Sequence, residues 1–482
     1  MPRSHALVFV CVLCPLALML GAGTALAQNG DLGRAGANDD KPRSEIEVNA
    51  IKLFDREPPV TTDGTDDNNS SRAFDSWHVD QLAWLSLSDL PGNSTSGNDC
   101  WGYVSPSGRE YAIMGVSRGY VFVEITDPSN PVIVKFISGP NSLWHDIKVI
   151  GDHAYGVSEG GAGVQVIDLA DIDNGTVTLV QNKQQQGHSS THNIVANTDS
   201  GFLYLTGANI QNGGLVALST ANPDDPTIVG AWNNMYVHDA QVVSYTTGQY
   251  AGKEIAFCFG GFQGGWSQTG LRIVDVTNKS NMFTISTTSW AGARYAHQGW
   301  LSPDRHYLYV DDELDEGDTV SVTTTRVFDV SDLSNPTFMG IFTTGLPAID
   351  HNLYTKGNLI YETNYRSGLR IFDATDPINP TEIAYFDTYP GSNSANFNGS
   401  WSNYPYFPSG TIIVSDLERG LFVLRLECIA DFNKDGNVNT QDVTAFLNAW
   451  VMQDGSADIN GDTIVNTQDA LAFLNYWTTG CN

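Results

Sequence analysis

The stretch Gly270-Leu-Arg-Ile-Val-Asp-Val276 is one of seven copies of a short apolar pattern that recurs between residues 101 and 426. Its β-branched residues and alternating polarity are typical of a β-strand. Successive copies begin 43 to 56 residues apart. The other six copies are Gly119-Tyr-Val-Phe-Val-Glu-Ile125, Gly163-Val-Gln-Val-Ile-Asp-Leu169, Gly214-Leu-Val-Ala-Leu218, Thr325-Arg-Val-Phe-Asp-Val330, Gly368-Leu-Arg-Ile-Phe-Asp-Ala374 and Gly420-Leu-Phe-Val-Leu-Arg-Leu426.

Each copy lies inside a larger unit. A turn such as Asp127-Pro-Ser-Asn-Pro131 follows most copies, and another strand, such as residues 132–136, comes next. Two further strands precede each copy, for example residues 146–150 and 153–157. Four strands per repeat of about 50 residues predict a β-propeller, here with seven blades. A row of independent sandwich domains is the alternative, but such domains need about 100 residues each.

The last repeat ends after its third strand, so an additional segment must pair with that open edge. Residues 81–87, Gln81-Leu-Ala-Trp-Leu-Ser-Leu87, have the character of a fourth strand and no repeat before them. We therefore expect them to close the last blade. The predicted propeller spans residues 75–427 and makes the protein mainly β.

The propeller region resembles the LVIVD-repeat proteins, in particular the bacterial "choice-of-anchor B" family, in which a similar propeller carries varied C-terminal anchoring modules. The resemblance covers about residues 81–426. The motifs that carry it are Asn98-Asp-Cys-Trp-Gly102, Gly252-Lys-Glu-Ile255, His297-Gln-Gly-Trp300, Asp312-Glu-Leu-Asp-Glu316, Asp350-His-Asn352, Asn364-Tyr-Arg-Ser-Gly-Leu-Arg370 and Phe386-Asp-Thr-Tyr389. It implies an architecture and an anchored location, and no particular reaction.

Five histidines occupy one equivalent position, just before the first strand of a blade. They are His145, His192, His238, His297 and His351. First strands line the channel of a propeller, so these side chains should gather near one mouth, together with Glu159, Glu313 and Glu362 from the ends of second strands. In one interpretation each histidine bonds to a turn and recurs because the blade recurs. In the other, imidazoles and carboxylates converge on a transition metal or a polar ligand.

The C-terminal 55 residues contain two copies of a calcium-loop pattern, 27 residues apart, each followed by a short helical pattern. Calcium needs many oxygen ligands on a short loop, so two bound calcium ions are predicted. The first loop offers Asp431, Asn433, Asp435, Asn439 and Asp442, with Asn437 binding through its backbone. The second offers Asp458, Asn460, Asp462, Asn466 and Asp469, with Ile464 binding through its backbone.

This duplicated loop-helix motif, residues 428–482, resembles a type I dockerin, a small all-α calcium-binding module that attaches its owner to a cohesin on another protein. The resemblance implies partner contacts through Thr440 and Gln441 and, in a second orientation, through Thr467 and Gln468. The ending Gly480-Cys481 is similar to variant dockerins with a terminal Gly-Cys. Cys428 and Cys481 bracket the module, and we expect a disulfide between them in an oxidising compartment.

The N-terminus and the charge indicate a secreted protein. Residues 1–27 read as a signal peptide, with Arg3, an apolar run at residues 6–20 and a small-residue cleavage site. Residues 28–74 read as a disordered acidic leader. The formal charge of −30, from 54 acidic and 24 basic residues, excludes phosphate-driven nucleic-acid binding. No later apolar stretch is long enough for membrane insertion.

Together these features predict an extracellular or cell-surface protein whose dockerin binds a cohesin-type partner and whose propeller is a binding or scaffold module for an unidentified ligand. The alternative is a metal-dependent hydrolase or lyase that its dockerin brings to a polysaccharide-degrading assembly. No serine nucleophile motif, P-loop or dinucleotide fingerprint accompanies the histidines, and catalytic residues are not assigned.

Overall fold

The computed structural model describes residues 74–261 and 268–480. The predicted signal peptide and residues 28–73 of the predicted leader lie outside the described residues, as does Cys481. Within the described part, the strands form seven antiparallel sheets. The mainly β, seven-bladed propeller that the repeats predict is therefore confirmed.

Two strands precede the first full blade: β1 (Ser76–Trp77) and β2 (Val79–Leu85). Blade one contains β3 (Gly97–Val104), β4 (Glu110–Val116), β5 (Gly119–Glu124) and β6 (Val132–Ser138). Blade two contains β7 (His145–Ile150), β8 (His153–Ser158), β9 (Val164–Asp168) and β10 (Thr178–Lys183). Blade three contains β11 (Asn193–Asn197), β12 (Phe202–Thr206), β13 (Leu215–Ser219) and β14 (Thr227–Trp232).

Blade four contains β15 (Asp239–Tyr245), β16 (Lys253–Gly260), β17 (Gly270–Asp275) and β18 (Phe283–Thr288). Blade five contains β19 (Ala296–Leu301), β20 (Tyr307–Asp312), β21 (Thr325–Asp329) and β22 (Thr337–Phe342). Blade six contains β23 (Asn352–Lys356), β24 (Leu359–Thr363), β25 (Leu369–Asp373) and β26 (Thr381–Phe386). Blade seven contains β27 (Ser400–Tyr404), β28 (Thr411–Asp416) and β29 (Gly420–Leu426). Short 3₁₀ turns cover Ile172–Asn174 and Gln211–Gly213.

The first strands of the seven blades form a closed inner ring. Each first strand contacts those of both neighbouring blades, and β27 contacts β3 to complete the circle. Residues at the start of these strands therefore lie around one mouth of the central channel.

The N-terminal strands join blades six and seven. β2 pairs with β29, from Val79 opposite Leu426 to Leu85 opposite Leu421, and supplies the fourth strand of blade seven. This strand overlaps the predicted segment 81–87 and begins two residues earlier. β1 pairs with β26 as a fifth strand of blade six, an addition that the repeat pattern does not predict.

The glycine that begins most repeats has a steric role. Gly420 has φ 95°, and an added Cβ would lie 2.3 Å from the carbonyl oxygen of Leu85 in the adjacent strand. Gly368 has φ 74°, and an added Cβ would lie 2.2 Å from the carbonyl oxygen of Phe386. Only glycine combines this left-handed conformation with so close an approach of the fourth strand.

Third strands are apolar on both faces because each blade packs between two others. In β25, Leu369 and Ile371 belong to the apolar cluster shared with Phe422 of blade seven. Phe372, on the opposite face, packs with Phe342 of blade five. A strand covered on both faces reads as a nearly continuous apolar run, and each fully buried large side chain contributes about 1.5–3 kcal/mol.

A small helical module follows the propeller. Helix α1 spans Thr440–Val451 and helix α2 spans Thr467–Thr479, with a 3₁₀ turn at Gly455–Ala457 between them. The rings of Phe446 and Phe473 stack at 4.2 Å in its core. Among the described residues, no helix is both long and apolar enough to cross a membrane.

Candidate functional site

The predicted histidine ring lies at the mouth of the channel, and four of its five members come together. Ring centroids of His192 and His238 are 4.2 Å apart, those of His238 and His297 4.3 Å, and those of His297 and His351 4.2 Å. The Nε2 atoms of His192 and His238 are 3.2 Å apart. We refer to these four residues as the histidine cluster.

His145 occupies the equivalent position in blade two but does not share these contacts. Its Nε2 bonds to the carbonyl oxygen of Pro140 at 2.9 Å, and its ring packs against Tyr120. This side chain behaves as the structural interpretation predicts for all five. Burial lowers the pKa of His145 to about 3.

The outer nitrogen of each ring in the histidine cluster is held by a neighbour. Nδ1 of His297 donates to the carbonyl oxygen of His351 at 2.9 Å, and Nδ1 of His351 donates to that of Trp401 at 2.7 Å. A carbonyl oxygen can only accept, so both rings carry the proton on Nδ1 and keep a lone pair on Nε2. Their Nε2 atoms are therefore available as metal ligands.

The other two rings are held by side chains. Nδ1 of His192 lies 2.7 Å from a carboxylate oxygen of Glu159, and Nδ1 of His238 lies 2.8 Å from the hydroxyl of Tyr295. Glu159 thus stands behind a histidine, on its outer side. Such outer partners fix the orientation of metal-binding imidazoles.

Glu313 faces the histidine cluster from the loop that directly follows β20, the second strand of blade five. One of its oxygens accepts a hydrogen bond from the Tyr365 hydroxyl at 2.7 Å. Its carboxylate lies 3.8 Å from Nε2 of His297 and 3.8 Å from Nε2 of His351. One nitrogen each of His238 and His297 and one oxygen of Glu313 all lie within 4.8 Å of one another.

The electrostatics favour the neutral form of His297 and His351. Burial lowers the pKa of His351 to about 3. Burial, together with the charge of neighbouring histidines, holds the pKa of His297 well below its usual value. A neutral imidazole is the form that binds a metal.

A polar cavity in the channel adjoins the histidine cluster. It is lined by Asp99, Asp146, Lys148, His192, Asn193, Asp239, His297, His351, Asn352, Tyr354 and Trp401. Lys148 pairs with Asp99 at 2.7 Å and with Asp146, and its ammonium lies 4.7 Å from the ring centre of Trp101. Burial raises the pKa of Asp239 to about 7. The sequence predicts His192, His297 and His351 in this lining but not Asp99, Lys148 or Tyr354, because these three come from separate blades without a shared motif.

Glu362, the third predicted acid, does not join the histidine cluster. It accepts hydrogen bonds from the Thr325 hydroxyl at 2.8 Å and from the Asn364 amide at 3.0 Å. It belongs instead to a buried acidic group with Asp311 and Asp350, whose charges interact.

The two predicted calcium loops have the same hydrogen-bond pattern. In the first, the Asp431 carboxylate accepts from the backbone nitrogens of Asp435 and Gly436, and Asp442 accepts from those of Asn433 and Asn439. In the second loop, the Asp458 carboxylate accepts from the backbone nitrogens of Asp462 and Thr463. The Asp469 carboxylate accepts from those of Asn460 and Asn466. These bonds turn the carboxylates toward the loop interior, and a carboxylate oxygen can accept a second partner.

The predicted partner-contact residues and cysteines of the C-terminal module differ in how far the structure describes them. Thr440, Gln441, Thr467 and Gln468 are exposed at the starts of the two helices. Cys428 is disulfide-bonded, whereas Cys100 and Cys258 are free and buried. Because Cys481 lies outside the described residues, its pairing with Cys428 stays a prediction.

Comparison with known proteins identifies the repeat. The LVIVD repeat model matches residues 266–288 and 326–344. The two ranges overlap the third and fourth strands of blades four and five. A search of curated proteins finds no match.

Many solved structures match this chain, including three at low sequence identity. A Lactobacillus plantarum protein shares 13% identity and a TM-score of 0.46, covering 67% of this chain and 89% of that one. The β-propeller domain of Myceliophteria thermophila Cps50 (Swd1) has 12% sequence identity and a TM-score of 0.43, and the match covers 67% of this chain and 96% of that domain's chain. The structure of U3-55K has 8% sequence identity and a TM-score of 0.48, and the match covers 72% of this chain and 98% of the U3-55K chain. The repeat match and the seven sheets show that the chain carries LVIVD repeats in a seven-bladed β-propeller.

Proposed function

We propose that this protein is a secreted binding module whose propeller holds a transition-metal ion at the histidine cluster and whose C-terminal dockerin anchors it to a cohesin-type partner. One observation carries the propeller's part of the proposal. The rings of His297 and His351 have their outer nitrogens bonded to carbonyl oxygens, and their inner nitrogens face the Glu313 carboxylate.

The donor set fits a metal such as zinc. Zinc binds imidazole nitrogen and carboxylate oxygen at about 2.0–2.2 Å, so two nitrogens on one ion stand about 3.3 Å apart. The Nε2 atoms of His192 and His238 are separated by 3.2 Å. His238, His297 and Glu313 form the compact centre of the set, with His192 and His351 on either side. The lowered pKa values of His297 and His351 mean that these two rings need lose no proton to bind a metal.

Burial of the cluster favours binding over polymer hydrolysis. The four rings are between 1% and 5% exposed, so a polysaccharide chain cannot contact them in this structure. A hydrolase or lyase acting on a small substrate is the second candidate. The feature that favours it is Asp239, which lines the adjoining water-sized cavity with a pKa of about 7, suited to proton transfer.

The anchoring part of the proposal rests on the C-terminal loops. Their oxygen side chains fit calcium, which would neutralise Asp431, Asp435 and Asp442 in the first loop and the equivalent residues in the second. Exposed residues at both helix starts support a docking surface. A propeller joined to an anchoring module is also what the resemblance to the choice-of-anchor B family implies.

Metal analysis of matched variants tests the propeller site. The full chain is loaded with zinc, washed, and its bound zinc is measured for wild type, His297→Gln and His145→Gln. We expect about one equivalent of zinc in wild type and in His145→Gln, and a large loss in His297→Gln. His145 is the control because it is a buried histidine at the equivalent position, bonded away from the cluster. Equal zinc contents in the two variants would contradict the proposal.

The same preparation separates the two candidate functions. Turnover of small esters by the zinc-loaded chain, lost in Asp239→Asn while the zinc content is unchanged, would favour the enzyme. Zinc binding without turnover would favour the binding module.

A further inference from the structure

A second cluster of carboxylates lies behind the histidine cluster, where two loops meet. The loop of residues 313–324 links β20 to β21 and carries Asp315 and Glu316. The loop of residues 343–351 links blade five to blade six and carries Asp350. One oxygen from each of these three carboxylates lies within 4.8 Å of the other two.

Several of these oxygens lack a donor. Asp315 accepts a hydrogen bond from Arg326, and Asp350 accepts one from the backbone nitrogen of Thr324 at 3.2 Å. The second oxygen of Asp315, the second oxygen of Asp350 and both oxygens of Glu316 accept no hydrogen bond from an amide, hydroxyl or guanidinium group among the described residues, and these carboxyl groups lie against one another. Asp315 and Asp350 are 0% exposed and Glu316 is 8% exposed. Buried carboxylate oxygens without partners are rare unless they meet a cation.

The surrounding charge is also negative. Asp311 is 0% exposed, and neither of its oxygens has a hydrogen-bond partner in the described part of the chain. Asp312 is satisfied by the indole of Trp290 and by two backbone nitrogens, and Glu362 by Thr325 and Asn364. Within the described ranges, Arg326 is the one cation paired with the cluster.

We propose that Asp315, Glu316 and Asp350 bind a hard divalent cation, calcium, with Asp311 close enough to add to its electrostatic stabilisation. The ligand atoms are all carboxylate oxygens, without histidine or cysteine, and this chemistry selects calcium over zinc or copper. A divalent ion offsets the repulsion that these buried charges would otherwise exert on one another. This site is separate from the two C-terminal loops and from the histidine cluster.

The cation would also position the histidine cluster. Glu313 lies two residues before Asp315, and His351 directly follows Asp350. An ion that joins the two loops therefore fixes the separation between Glu313 and His351. This consequence rests on the proposed function, whereas the calcium site does not.

Terbium luminescence provides a direct test, because terbium replaces calcium and is excited through a nearby indole. The Trp290 indole is hydrogen-bonded to Asp312 at 3.1 Å, and the Arg326 guanidinium lies 5.2 Å from its ring centre. The full chain is used with Asp431→Ala and Asp458→Ala, which disable the C-terminal loops. We expect sensitised terbium emission that excess calcium displaces and that Trp290→Phe removes.

Ligand variants in the same background identify the residues. Glu316→Gln combined with Asp350→Asn should weaken terbium binding by about tenfold or more, on the scale of losing metal-site partners. Glu362→Gln, a buried acid of the same region whose oxygens are already bonded, should retain binding. Equal affinity in the two variants would overturn the assignment of ligands.

Thermal unfolding with and without calcium tests the site even if the Glu316→Gln, Asp350→Asn double variant does not fold. Calcium should raise the melting temperature of the propeller transition in the Asp431→Ala, Asp458→Ala chain, and a chelator should reverse the rise. An unchanged melting temperature together with absent Trp290-sensitised emission would overturn the site. The carboxyls would then be protonated and bonded to one another.

Discussion

His297 and His351 are linked directly: the Nδ1 proton of His297 is donated to the backbone oxygen of His351 at 2.9 Å, and the two rings lie 4.2 Å apart. Blades six and seven thus orient the imidazoles of His297 and His351 in the blades before them. The bond fixes the tautomer of His297 and leaves its Nε2 toward Glu313. The histidine cluster is therefore a coupled set, in which one ring's position depends on the next blade's backbone.

This coupling predicts that outer partners matter for metal affinity. Tyr295 bonds to Nδ1 of His238 at 2.8 Å, so Tyr295→Phe removes an orienting contact and leaves every candidate ligand in place. We expect zinc affinity to fall by about 10–100-fold, measured by competition with a chromogenic chelator. Tyr120→Phe is the matched control, because Tyr120 packs against His145 outside the cluster. Equal zinc affinity in Tyr295→Phe and wild type would contradict an orienting role.

The stability of the propeller should fall as the pH is lowered, and His145 should contribute. Its pKa is about 3 in the folded state because of burial, against about 6.5 when unfolded. The unfolded state therefore binds more protons between these values, and stability present above pH 6.5 is lost as the pH falls toward 3. At pH 5 the loss is about 2 kcal/mol for this group.

His145→Gln removes that titration. The difference in unfolding free energy between pH 7 and pH 5 should be about 2 kcal/mol smaller in the variant than in wild type. Chemical denaturation at the two pH values measures it. His306→Gln, at an exposed histidine, is the control and should leave the difference unchanged. An identical pH dependence of the unfolding free energy in His145→Gln and wild type would show that His145 does not contribute to the loss of stability at low pH.

The fold could be predicted from the sequence more completely than the arrangement of the candidate site. Seven recurring strands, six of which begin with glycine, predict seven blades because the leading glycine meets a steric need that recurs in most blades, as Gly368 and Gly420 show. Equivalent positions also predict that histidines gather at one mouth. They do not predict that His145 turns toward Pro140, because that orientation depends on its local packing.

Clusters assembled from distant segments were the least predictable. Lys148 meets Asp99 from another blade, and Asp350 meets Asp315 from another loop. Nothing in the local sequence of these residues specifies which acids become neighbours. A signal did exist in the segment Asp312-Glu-Leu-Asp-Glu316, where four acids surround one leucine immediately after a buried strand. Four carboxylates this close together repel one another, and the repulsion destabilises the fold unless a bound ligand or fixed hydrogen-bond donors offset it.

Phe74 should be essential for closing the ring, although it is the last residue of the predicted leader. It is 3% exposed, and its ring lies 5.0 Å from Phe422 and 5.3 Å from Trp84. Phe74→Ala should lower the free energy of unfolding by about 3–5 kcal/mol. Deleting residues 28–72 should change it little, whereas deleting residues 28–85 should expose the edge of β29 and cause aggregation. Equal melting and solubility of both truncations would contradict this closure.

The second calcium loop should bind more weakly than the first, for a conformational reason. Thr463 has φ 70° at the position where Gly436 has φ 84° in the first loop. A β-branched residue is strained in this region, so Thr463→Gly should raise the calcium affinity of the second loop and Gly436→Thr should lower that of the first. Calorimetric titration measures both.

Calcium should also be required for the C-terminal module to fold. Its core is small, and its loops crowd carboxylates such as Asp431 and Asp435, so binding energy becomes folding energy. A chelator should abolish the helical signal of the module under reducing conditions and change the fluorescence of Trp450 and Trp477. A helical signal that persists in excess chelator, with Cys428 reduced, would show that calcium does not fold this module.

The near-identity of the two helix starts predicts two orientations of docking. Thr440 and Gln441 begin α1, Thr467 and Gln468 begin α2, and all four are exposed. If each pair can contact a cohesin-type partner, replacing one pair by alanine should lower affinity by about twofold, because one of two equivalent modes remains. Replacing both pairs should abolish binding, and surface plasmon resonance with an immobilised cohesin measures all three variants. Complete loss from replacing the first pair alone, with calcium content unchanged, would establish a single mode and rule out the symmetric one.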